Sequence, residues 1–249
     1  MTTSGTASFN LDLSNIVEEA FERCGKELRT GYDLRTATRS LNILTVEWSN
    51  RGVNLWTIEQ GSIPMVANQY VYDLPVDTID LLEHVTRTGT GQNQQDLTIT
   101  RISVSTYATI PNKNATGRPI QVWVDRQSGA TYPAGGRPEG TDPVTGIDSP
   151  KIYVWPAPDQ GSLASPFYTF VYWRLRRIQD AGTGAKTMDI PFRFLSCMIA
   201  GLAYYLALKI APERVPLLKE QYDEQWKYAS EEDRDKAAVR FVPRRYFID

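Results

Sequence analysis

The chain has 249 residues, enough for one large domain or two small ones around a substantial core. Its 27 basic and 29 acidic residues leave a net charge of -2, which argues against a nucleic-acid coat that trades cations for phosphate counterions. Two Cys cannot form a disulfide framework, and a single His (His84) removes most metal and triad chemistry. The opening MTTSGTASFN lacks the basic and apolar regions of a secretory signal. What stands out is six Trp and 13 Tyr beside so few catalytic candidates.

Leu13, Ile16, Val17, Ala20, Phe21, Cys24 and Leu28 share one face at helical spacing, with Asp12 or Ser14 as cap. A second helix is expected from a cap at Asp33, with Leu34, Ala37, Leu41, Leu44 and Trp48 inward and Arg51-Gly52 at its end. A short connection predicts that the two pack as an antiparallel pair. From Val53 the period shortens to two. Strands are expected at 55–60, 69–73, 80–87, 97–100, 120–125, 151–155 and 168–174, with one helical turn over 103–109. Between the hairpin arms IQVWVDRQ and KIYVWP lies a Gly/Pro-rich loop, 127–150, long enough to be an interaction loop or a solvent loop.

FRFLSCMIAGLAYYLAL (192–208) is apolar almost all round. It reads as a buried helix, because it is short for a membrane span and bounded by Arg193 and Lys209. Ala211-Pro212 stops it, and Pro216 opens a last helix with Leu218, Tyr222, Trp226 and Ala229 inward. The expected fold is therefore α+β: a helical bundle from the N- and C-terminal helices with an inserted antiparallel β-sandwich-like domain. Its parts are 1–52 helical, 53–185 β, 186–235 helical and 236–249 an extended tail.

The residues point to binding rather than to catalysis. Gly184-Ala185-Lys186-Thr187 splits the Gly-Lys pair of a phosphate loop and reads as a turn. His84 reads as a surface or interface residue of a strand, and both Cys as small core residues. No catalytic, metal or cofactor residue is assigned, and no cofactor is expected. Trp123, Tyr153, Trp155 and Tyr172-Trp173 alternate on their strands, so some aromatic surface is expected to face outward. In the tail, Arg240, Phe241, Val242, Arg244, Arg245, Tyr246 and Phe247 around Pro243 have the aromatic and Arg anchors of a docking peptide.

The helix end Leu44-Thr45-Val46-Glu47-Trp48-Ser49-Asn50-Arg51-Gly52 runs into Leu55-Trp56-Thr57-Ile58-Glu59-Gln60. Tyr70-Val71-Tyr72-Asp73-Leu74-Pro75 and the strand Ile79–Val85 follow. Further on come Gly117-Arg118-Pro119, Trp123-Val124-Asp125-Arg126 and Val154-Trp155-Pro156-Ala157-Pro158. This series, spread over most of residues 10–235, resembles the head-to-tail adaptor proteins of short-tailed phages (podoviruses), the tail tubular protein A type of connector. Here Asn54-Leu55 separates the turn from Trp56, and the β region is longer than in compact members.

The resemblance implies a virion protein without enzymatic activity, assembled in the bacterial host cytoplasm. It would form a ring of about twelve copies between the portal protein and the tail nozzle protein, extending the DNA channel and seeding tail assembly. Genomic DNA would pass through without specific binding, serving genome ejection, and no membrane is involved. The near-neutral charge suits such a conduit, and Asp223, Glu224, Glu231 and Glu232 are expected to face the channel and keep it repulsive to phosphate. The competing reading is a tail or receptor-binding module whose aromatic β domain holds carbohydrate; an acid-pair hydrolase stands third.

Overall fold

The computed structural model describes residues 11–52, 55–126, 149–182 and 186–233, together with Gly5. In chain order the elements are α1 (Leu13–Arg23), α2 (Gly31–Arg51), β1 (Ile58–Pro64), β2 (Val71–Asp73), β3 (Thr78–Thr88), β4 (Gln95–Thr98) and β5 (Thr100–Arg101). They continue with α3 (Val104–Ala108), β6 (Gln121–Asp125), β7 (Lys151–Trp155), β8 (Tyr168–Arg176), α4 (Leu195–Ile210) and α5 (Val215–Glu232). The fold is mixed α+β. One unit spans Trp56–Arg177, and the other joins Met1–Leu55 to Ile178–Asp249.

In the helical unit, the Asp12 carboxylate caps α1 by accepting from the Asn15 amide at 2.9 Å. The helix stops earlier than its apolar spacing predicts, so Leu28 does not extend it. The Arg214 guanidinium donates to the Arg23 carbonyl at 3.0 Å. Gly25, at φ +70°, leaves room for that group, because a Cβ there would lie 2.6 Å from it. The cap of α2 is likewise not Asp33. Thr30 is the cap, and Asp33 sits at the third helical position, returning a carboxylate to the Thr30 amide at 3.1 Å in a reciprocal capping box. Gly52, at φ +75°, ends α2 in the left-handed conformation.

Helix α4 is the hub of this unit. Met198, Ala200, Leu202, Ala203, Leu206 and Ala207 are all buried, and α1, α2 and α5 pack around it. The expected α1–α2 contact is present but minor: α1 docks chiefly on α4, whose apolar residues run almost all round the helix. Phe194, just before α4, meets Trp48 near the end of α2, with ring centroids 5.5 Å apart. At the other end of α4, Lys209 donates to the Ser40 hydroxyl at 2.7 Å. Helices α2 and α4 therefore run in opposite directions. Ser196 bonds Gln225 at 2.9 Å and Arg193 pairs with Asp233, so α5 also opposes α4. Hence α2 and α5 run the same way. Gly201 allows the close approach: a Cβ there would meet Leu44 Cδ2 and Tyr222 Cε2, each at 2.9 Å.

The other unit contains two four-stranded sheets, ordered β1-β8-β3-β4 and β2-β7-β6-β5. The hairpin arms pair as expected, antiparallel with Val122 opposite Val154, but β5 joins β6 in parallel, so the second sheet is mixed. The single strand expected over 97–100 is two strands in different sheets. The chain crosses between them at Ile99, itself buried in the shared core. Leu55–Thr57 is a 3-10 turn, so β1 starts three residues later than expected. Leu81, Tyr168, Phe170 and Tyr172 from the first sheet meet Tyr72, Val122, Val124, Ile152 and Val154 from the second in one apolar cluster. Gly61 faces Tyr172 across β1 and β8, and its missing side chain is the space the Tyr172 ring fills.

Candidate functional site

Helix α5 presents Asp223, Glu224, Glu231 and Glu232 at the surface, all four exposed. At 100° per residue, Glu224 and Glu231 stand opposite the buried Tyr222, while Asp223 and Glu232 fall on the two flanks. Tyr228 donates to the Glu224 carboxylate at 3.1 Å, which raises the Tyr228 pKa above its ordinary value.

Behind this face lies a polar and aromatic network that the sequence reading missed. Trp48 Nε1 donates to the Tyr222 hydroxyl at 2.9 Å. Tyr205 donates to one Glu47 oxygen at 2.8 Å and Tyr222 to the other at 3.4 Å. Glu47 also pairs with Arg51, whose guanidinium lies over the Trp226 ring at 4.5 Å and the Tyr222 ring at 5.4 Å. Burial pushes the Tyr205 hydroxyl up to about 12, helped by its bond to Glu47. The Tyr222 hydroxyl is also raised, chiefly by burial. Both phenols stay protonated and act as donors. The available signal was the Glu47–Arg51 spacing, an acid four residues before a base on one helix face, but that spacing does not say that two tyrosines close on the pair.

In the β unit the alternation holds. Val122, Val124, Ile152 and Val154 point inward, whereas Trp123, Tyr153 and Trp155 are half-buried on the other face. Trp123 stacks on Tyr153 at 4.6 Å, and Tyr107 of α3 closes over both at 5.3 and 5.5 Å. Lys113 sits over the Tyr107 ring at 5.5 Å. On the first sheet Arg174 bridges Glu59 at 2.8 Å and Asp77 at 2.5 Å, and Arg176 joins Glu59 at 2.6 Å.

His84, expected to be a surface or interface residue, is half-buried with both ring nitrogens shielded. Its ring stacks on Phe170 at 5.8 Å, and among the described residues neither ring nitrogen meets a hydrogen-bond partner of normal geometry. Burial and then the Arg101 charge lower its pKa, against smaller effects of Glu83 and the Ile99 backbone. Cys24 and Cys197 are buried free thiols, and Cys24 donates to the Ala203 carbonyl at 3.3 Å. Burial raises both, Cys197 to about 12, the opposite of a nucleophilic cysteine. Among the described residues no group of three or more His, Cys, Asp or Glu is placed to hold a metal ion. Phe192–Ile210 is long and apolar enough to cross a membrane, and 56% of an 18-residue stretch within it is buried inside the structure.

The seven tail residues Arg240, Phe241, Val242, Arg244, Arg245, Tyr246 and Phe247 lie outside the described residues, as does nearly all of the 127–150 loop. Of the Gly184–Thr187 segment, Lys186 accepts the Leu13 amide through its carbonyl at 3.0 Å, and Thr187 bridges Asp12. No protein family matches this chain, and no curated protein matches it.

Proposed function

We propose that this protein is a structural head-to-tail adaptor of a short-tailed phage virion. In this reading it forms a ring, of about twelve copies, between portal and tail nozzle, extends the DNA channel and seeds tail assembly. Its architecture is then a helical bundle carrying an inserted β-sandwich-like domain. The observation that carries the reading is where the resembling run Glu47–Gly52 falls. Glu47, Trp48 and Arg51 tie α2 to α4 and α5, and Gly52 ends α2 in the left-handed conformation. The exposed acids of α5 suit a wall past which DNA slides, since each cationic phosphate contact would add salt-sensitive affinity. The residue 240–249 segment serves as the docking peptide for the portal.

Electron microscopy of the purified protein, alone and mixed with the portal protein, tests this by its rotational symmetry and bore. A ring seated on the portal is expected, lost when residues 240–249 are deleted while the helical content is kept. A threefold particle that binds oligosaccharide would replace the adaptor with a receptor-binding module that uses Trp123 and Tyr153. A bore lined by arginine would remove the acidic-wall role of Asp223, Glu224, Glu231 and Glu232.

A further inference from the structure

Two helix faces of the helical unit are exposed, apolar in part and opposite in charge. On α2, the stripe turned away from α4 carries Tyr32, Arg35, Arg39, Ile43 and Val46. Tyr32, Ile43 and Val46 are 63%, 54% and 61% exposed, and both arginines are exposed. Arg39 bonds only the neighbouring Thr36 hydroxyl, and neither arginine meets a carboxylate among the described residues. On α5, the stripe opposite Tyr222 carries Leu217, Glu220, Glu224, Tyr228 and Glu231, with Leu217 and Tyr228 58% and 56% exposed.

The two stripes have the same spacing along the chain: steps of three, four, four and three residues. Each spans about 21 Å at the helical rise. Aligned in parallel, they set Tyr32 against Leu217, Arg35 against Glu220, Arg39 against Glu224, Ile43 against Tyr228 and Val46 against Glu231. At the first four positions apolar side chains meet apolar ones and each arginine meets a glutamate; at the fifth, Val46 meets Glu231 at the end of the stripe. Within one copy α2 and α5 already run in the same direction, because both oppose α4. A neighbouring copy therefore needs no inversion to bring its α5 beside this copy's α2.

We propose that the α2 stripe of one copy is the docking surface for the α5 stripe of the next copy of this chain, a head-to-tail seam held by Arg35–Glu220 and Arg39–Glu224 pairs. Such a heterologous contact repeats at every copy and closes into a ring when its rotation allows. The seam rests on the ring reading only for its closure, and it draws Glu224 and Glu231 out of the channel wall, leaving Asp223 and Glu232 there. Because its charge pairs lie near the surface, association should weaken as salt rises.

The test is charge reversal with cross-complementation. One variant carries Arg35→Glu and Arg39→Glu, and the other Glu220→Arg and Glu224→Arg. All four positions are exposed, and circular dichroism checks that each variant folds. Each alone sets like charge against like, and its self-association, read by sedimentation and native mass spectrometry, should fall ~100-fold. Mixed in equal amounts, each variant's α5 meets an opposite charge on the other's α2, and assembly should return as alternating copies. A wild-type protein that stays monomeric at all concentrations overturns the seam. So do variants that assemble like wild type, or a mixture that fails to recover. A wild-type ring on the portal that ignores these reversals overturns the seam and leaves the adaptor reading intact. A seam that forms in particles unable to join the portal does the reverse.

Discussion

Trp48 of α2 and Tyr222 of α5 are joined by a buried hydrogen bond, indole Nε1 to phenolic oxygen at 2.9 Å, with the two side chains 0% and 2% exposed. Two large aromatic groups bury most of their surface here, and each polar atom finds a partner, which is what makes their burial favourable. Tyr222→Phe keeps the ring and strands the indole N–H. It should cost about 1–3 kcal/mol, read as a lower urea midpoint with an unchanged slope. A neutral result would show that water or Glu47 takes over the indole.

Close packing around two glycines makes a second prediction. Gly61→Ala would put a Cβ 2.4 Å from Tyr172 Cζ, and the ring cannot leave without opening the core between the sheets. The expected loss is about 1–3 kcal/mol. Gly201→Leu drives a larger group between Leu44 and Tyr222 and should lose at least as much, whereas Gly201→Ala is partly offset by the better helix propensity of alanine. Thermal unfolding of the three variants ranks them, and a stable Gly201→Leu protein would contradict the helix contacts described above.

The pH dependence of stability should have two acid-side limbs. His84 has a folded pKa lowered from 6.5, first by burial and then by Arg101, so its contribution is complete above 6.5 and declines as pH falls through the lower folded value. For Asp77, burial acts upward, but the Arg174 hydrogen bond and the charges of Arg174 and Arg176 outweigh it, and the pKa ends below 3.8. That contribution is complete above 3.8 and is lost as pH falls further. Chemical denaturation from pH 8 to 3 should show both declines, and His84→Phe should remove only the upper one. A curve flat between pH 7 and 5 in the wild type would refute the shielded His84.

Both thiols should be silent in the folded protein. At pH 8, a Cys197 thiol shifted to about 12 is almost wholly protonated, and the thiolate is the nucleophile. Titration with a chromogenic disulfide should label neither Cys24 nor Cys197 until denaturant is added, and then both. Fast labelling under native conditions would mean that α4 opens readily.

Much of the local structure was legible from residues close in sequence. The β6–β7 pair followed from the alternation of Val122-Trp123-Val124 and Tyr153-Val154-Trp155, because a period of two decides which face is buried. The end of α2 at Gly52 and the helical turn expected over 103–109, which Ser103 caps, followed from turn and capping chemistry within a few residues. Two helix limits were misread for the same local reason. Thr30 and Asp33 are both able caps, and Leu28 fits the apolar spacing of α1 although Arg214, far along the chain, completes the helix end at Arg23.

What only the tertiary structure decided depends on contacts distant in sequence. The crossing of Ile99 from one sheet to the other, the choice of α4 rather than α2 as the seat of α1, and the closing of Tyr205 and Tyr222 on Glu47 all join residues whose partners no local period names. The like direction of α2 and α5 belongs with them, since it exists only because both lie against α4. Side-chain period and caps act over one or two turns of chain, so sequence determines elements and the faces they bury. Which buried faces meet, and which are left outward for another molecule, is settled by packing the whole unit at once.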